Sequence, residues 1–107
     1  MNSRIKDIVK ELQIETPNFE CPIVGQTVPE IVCTLDKVKK LKPKIVLEIG
    51  SASGGFIYLL SATLGNLGTT FITIDPYTKG TKYEKQYDIY KETTRKLKDF
   101  YPKNNYI

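Results

Sequence analysis

Lys44-Ile45-Val46-Leu47-Glu48-Ile49-Gly50-Ser51-Ala52-Ser53-Gly54-Gly55 is an apolar run that ends abruptly in small residues. The length and β-branched content of 44–49 predict a strand buried on both faces, as in a parallel sheet. Residues 50–55 predict a tight turn. Residues 56–64 are apolar enough for a buried helix, and Gly65, Asn66 and Gly68 close it. Residues 69–74, Thr-Thr-Phe-Ile-Thr-Ile, predict a second strand. Strand, turn, helix, turn, strand is a βαβ unit, with a right-handed crossover expected.

Working outward, residues 3–13 carry Ile5, Ile8, Val9 and Leu12 on one helical stripe. Pro17, Asn18, Pro22 and Gly25 then predict loop. Thr27 and Glu30 have the spacing of a capping box, with Pro29 in the first turn. Val28, Ile31, Val32, Leu35, Val38 and Leu41 line one face of the helix they open, and Pro43 ends it. Beyond Asp75-Pro76 a loop runs through Gly80, and a long helix is expected over about 82–100. Its row of Tyr83, Tyr87, Tyr90, Thr94, Leu97 and Tyr101 reads as a core face rather than a base-stacking platform. Pro102 ends it, and Asn105-Tyr106-Ile107 has the character of a third strand's beginning.

The chain has 107 residues, the size of one small domain. Hydrophobic residues at 40% and charged residues at 26% place it among ordinary globular sequences. No apolar run reaches the roughly 18 residues of a membrane span, and the polar first residues do not resemble an export signal, so a cytoplasmic location is expected. Cys21 and Cys33 read as reduced, partly buried thiols. The absence of histidine excludes Ser-His and Cys-His nucleophilic schemes. The formal charge of +4 falls entirely in residues 76–107. Acidic and basic residues alternate there, which favours a solvated helix face over a nucleic-acid surface.

Small residues after a first parallel strand let a ligand approach the backbone and the free N–H groups of the next helix. Glu48 stands at that strand's end, where a carboxylate needs a partner. Asp75 ends the second strand, the place from which an acid accepts hydrogen bonds from a ribose diol. A dinucleotide fingerprint requires glycine where Ala52 stands, and a P-loop requires a lysine after the last glycine. Neither pattern is met.

Val46-Leu47-Glu48-Ile49-Gly50-x-x-x-Gly54 resembles motif I of the class I S-adenosylmethionine-dependent methyltransferases. It is most similar to the branch that includes caffeoyl-CoA O-methyltransferase-like, cephalosporin hydroxylase-like and sugar O-methyltransferase-like proteins. Leu41-Lys42-Pro43-Lys44 and Ile74-Asp75-Pro76-Tyr77 fit the same pattern, so the resemblance spans residues 23–107. It implies an α/β chain with a partial Rossmann-like three-layer fold, two to three parallel strands with flanking helices. Residues 1–25 would be a leading helix and loop, and 26–107 the cofactor-binding region.

By that resemblance S-adenosylmethionine is the cofactor and a small molecule the methyl acceptor, through an oxygen or nitrogen. Glu48 would sit near the methionine end. Gly50 and Ser51 would face the cofactor through the backbone, and Ser53 and Gly54 would shape the loop. Asp75 would hold the ribose hydroxyls, with Tyr77 by the adenine or the substrate entrance. The family sheet resembles seven strands, whereas this chain stops where strand three would begin. The acid after strand three, the strand-four motif and any metal-binding or base residue are missing. Two or three strands leave bare edges, so the expectation is a fragment, a truncated gene product, or a small protein that completes its sheet by self-association through an exposed edge. Two further readings stay open: a non-catalytic adenosine-ligand-binding or self-assembling module, and a nucleic-acid binder using the basic C-terminal helix.

Overall fold

Seven elements follow one another in a computed structural model that describes residues 2–77 and 79–107. They are α1 (Ser3–Leu12), α2 (Val28–Leu41), β1 (Ile45–Ile49), α3 (Gly55–Leu64), β2 (Thr70–Ile74), α4 (Glu84–Phe100) and β3 (Asn105–Tyr106). The three strands form one parallel sheet in the order β1-β2-β3, with Ile45 opposite Thr70, Ile49 opposite Ile74, and Phe71 opposite Tyr106. The fold class is thus α/β, and the third strand is present.

Local signals explain the boundaries. Asn2 caps α1 by accepting from the Arg4 N–H at 2.8 Å. Lys42 takes a left-handed conformation at φ 48° and stops α2 just before Pro43. Thr27 does cap α2, but its side chain makes no capping bond, so the expected capping box is not formed. The turn instead rests on Pro29 and on the Ile31 N–H donating to the Thr27 carbonyl at 3.0 Å.

The core lies between the helices and one face of the sheet. Val46, Phe71 and Tyr106 point into it from the three strands and meet Ile57, Leu60 and Leu64 of α3 and Leu97 of α4. Phe71 and Tyr106 stack with centroids 5.1 Å apart. Behind α3, Ile31 and Leu35 of α2 and Ile5 and Ile8 of α1 complete the cluster. Asn104 is wholly buried and clamps the far end. Its Oδ1 accepts from the Gly68 and Thr69 N–H groups and its Nδ2 donates to the Gly65 carbonyl.

Two expectations fail together. β1 is not buried on both faces: Ile45, Leu47 and Ile49 are 66%, 58% and 78% exposed. All the helices therefore lie on one side of the sheet, and the helical layer expected on its other face is not there among the described residues. Both crossovers run in one direction along the sheet, so α3 and α4 fall on the same side, and α1 and α2 pack behind them. On α4 the buried residues are Tyr90, Thr93 and Leu97, while Tyr83 and Tyr87 are exposed, so the expected tyrosine row turns away from the core at its N-terminal end. Leu41 is exposed as well, and Cys33 is exposed rather than partly buried. Five of the charges of α4 pair along its own surface, Lys91 with Asp88 and Arg95 with Glu92 and Asp99. Among the described residues no helix is long and apolar enough to cross a membrane.

Candidate functional site

The carboxyl ends of β1 and β2 meet in a crevice, and the turns leaving them carry the residues singled out above. Gly50 leaves β1 at φ 81°, a conformation open to glycine, and its N–H donates to the Ile74 carbonyl at 2.7 Å. Ser51 is buried, Ala52 sits at φ 48°, and Gly54 at φ 89° leads into α3. The Gly54 N–H donates to the Ser51 carbonyl at 2.9 Å, closing the turn. Ser53 serves the loop through its backbone, its carbonyl accepting from the Thr93 hydroxyl of α4 at 3.2 Å.

Asp75 straps the two turns together. One carboxylate oxygen accepts from the Ala52 N–H at 3.0 Å and the other from the Tyr77 N–H at 3.1 Å. Tyr77 crosses the crevice in the same direction: its hydroxyl donates to the Ala52 carbonyl at 2.6 Å and lies 2.9 Å from the Ser51 hydroxyl. Its backbone sits at φ 42°, in the left-handed region, and its ring leans on Tyr87 and Tyr90 with centroids 5.0 and 5.9 Å away. Burial, more than the Ser51 hydrogen bond, sets the Tyr77 hydroxyl, which is pushed up to about 12 and stays protonated.

Glu48 faces the helix side of the sheet and is half-buried. Its Oε1 is buried without a hydrogen-bond partner, the one such side-chain atom among the described residues. Burial, and secondarily the charge of Asp75, pushes its carboxyl up from 4.5 to about 7. Glu48 lines a cavity of about 340 Å³ together with Gly50, Ser51 and Ala52. Asp75 and Tyr77 line a separate cavity of about 450 Å³ with Tyr87 and Lys79. Both are within the size range of small-molecule sites. The crevice thus has two compartments, divided by the Asp75 and Tyr77 hydrogen bonds to Ala52.

The far wall of the Glu48 cavity comes from residues 23–26, in the loop between α1 and α2. Gly55 explains how that loop comes so close. A Cβ there would meet the Ile23 and Pro22 carbonyl oxygens at 2.7 Å. Arg4 of α1 holds the loop from outside through the Val24 and Gln26 carbonyls. The doubled glycine Gly54-Gly55 was the available sequence signal, since the turn itself needs only the first. Tyr87 and Tyr90 were read as core, and their contact with Tyr77 had no signal in the spacing.

Comparison of the chain with protein-family models, curated proteins and solved structures gave no significant match.

Proposed function

We propose that this crevice binds an adenosyl cofactor of the S-adenosylmethionine type, and that the chain is a partial Rossmann-like, cofactor-binding part of a methyltransferase. The observation that carries the reading is Glu48. A buried carboxylate oxygen with no partner, on a residue that lines a cavity beside a glycine turn, lacks a donor, and a ligand's ammonium group entering that cavity would supply one. Asp75 supports the other half. Each of its oxygens already accepts one backbone N–H, and each retains a lone pair for a ribose hydroxyl.

The residues fit such a ligand by charge as well. Two carboxylates face one crevice, and one of them is held partly protonated by burial and by the other. A cationic ligand relieves that repulsion. Gly50 and Ala52 offer backbone at close approach, and the compartment by Tyr77 and Tyr87 offers ring faces to a planar base. When bound, the cofactor supplies an electrophilic methyl group. The chain's own contribution is to hold and orient it, with catalysis resting on proximity to an acceptor. In this reading Tyr77 swings away from Ala52 to join the two compartments.

Titration calorimetry with S-adenosylmethionine and S-adenosylhomocysteine tests this. Saturable heat is expected for the folded chain, weakened at least tenfold in Asp75→Ala. No heat with either ligand, from a sample shown to be folded by circular dichroism, overturns the proposal.

A further inference from the structure

We propose that the bare face of the sheet is the contact surface of a homodimer, in which two copies of this chain stack sheet against sheet. The face carries Ile45, Leu47, Ile49, Ile72, Ile74 and Ile107. Five of the six are 55–78% exposed, Ile107 included, and Ile72 sits between them half-buried. Ile107 belongs to the same ladder, since its N–H donates to the Phe71 carbonyl and its carbonyl accepts from the Thr73 N–H. Thr70 and Asn105 complete the face, which contains no charged residue.

At roughly 100 Å² for each exposed large aliphatic side chain, with the rim included, the face offers roughly 600 Å² per copy. Stacking two copies would bury about 1,200 Å², the lower bound for a specific interface and more than most adventitious contacts reach. An apolar patch of this size stands at the top of the range found for a monomer's largest apolar patch, and patches of that size are often functional.

A second copy fits better than an unlike partner. The face has no charge with which to select a different surface, while a two-fold axis matches it to itself without further requirement. The chain's net charge of +4 does not oppose this pairing. Lys37, Lys39 and Lys40 stand on α2, in the helical layer, and Lys91, Arg95 and Lys98 of α4 reach only the β3 edge, where they line one cavity with Thr70, Asn105 and Ile107 at the rim of the face. Sheets stack about 10 Å apart. The two helical layers then lie outermost, separated by more than the Debye length of about 8 Å at physiological salt. The contact is through the face, whereas the sequence pointed to the strand edges.

Sedimentation velocity from about 5 to about 200 µM tests the proposal, spanning the weak association expected of a small interface. The mass is expected to rise from 12.2 kDa toward twice that value. Leu47→Glu, at the centre of the face, is expected to raise the dissociation constant at least tenfold, and Lys40→Glu on the helical side to leave it unchanged. If Leu47→Glu loses its circular-dichroism signal, Ile45→Gln at the end of β1 replaces it with the same expectation. A wild-type chain that stays monomeric throughout, a dimer that survives both face variants, or open-ended assembly without a closed pair overturns the proposal.

Discussion

Replacing Glu48 by glutamine should remove the pH dependence of folding that its raised carboxyl supplies. The folded-state carboxyl lies at about 7 and the ordinary value is 4.5. Between those limits the folded chain holds a proton that the unfolded chain has released. Stability therefore falls as pH rises from about 5 to about 7, then levels off. At about 1.4 kcal/mol per pH unit the gap corresponds to at most ~3 kcal/mol. Partial solvent access to the side chain lowers this to about 1–2 kcal/mol. The chain has no histidine, the side chain whose ordinary value falls in this window. Urea unfolding of the ligand-free chain at pH 5 and pH 8 measures the effect. Wild type should lose about 1–2 kcal/mol across the interval, and Glu48→Gln should lose little, ending the more stable of the two at pH 8. Equal slopes for the two proteins would show that the Glu48 oxygen is satisfied in solution and refute the reasoning. Ligand binding should run the other way. A cationic ligand needs the charged carboxylate, so affinity should fall by up to tenfold per pH unit below about 7.

Three further outcomes follow from single contacts. Gly55→Ala places a methyl group against the Pro22 and Ile23 carbonyls and should cost about 1–3 kcal/mol in urea unfolding, with faster proteolysis near residues 22–26. Asn104→Ala leaves the Gly65 carbonyl and the Gly68 and Thr69 N–H groups without their buried partner, and should cost about 2–4 kcal/mol, read as a drop in thermal midpoint. Tyr77→Phe removes the hydroxyl that bridges Ala52 and Ser51, and should cost about 1 kcal/mol in chemical denaturation while leaving the helical circular-dichroism signal intact.

What was legible in the sequence was whatever repeats locally. The β-branched run before Gly50, the small residues after it and the second run ending at Asp75 place β1, α3 and β2 within about a residue of their observed bounds. The same reasoning misjudged Ile45, Leu47 and Ile49. Their side chains state a preference for burial, but whether another layer covers them depends on where both crossover helices fall. The Thr27 cap failed for a related reason: the spacing of Thr27 and Glu30 permits a capping box without requiring the rotamers that close it. At the site, Glu48, Gly50 and Asp75 were visible through their positions at strand ends. The Tyr77 bridge to Ser51 and the loop pressed on Gly55 were not, because each joins segments far apart in the chain.

In the proposed function the crevice between the turns after β1 and β2 holds an adenosyl cofactor. Nitrogen-15 heteronuclear spectra of the chain titrated with S-adenosylhomocysteine test it most directly. The amides of Gly50, Ala52, Gly54 and Tyr77 should shift together and saturably, the Tyr77 and Ala52 signals most, as their hydrogen bonds to Asp75 rearrange. Shifts confined to the basic surface of α4, or none at all, would contradict it.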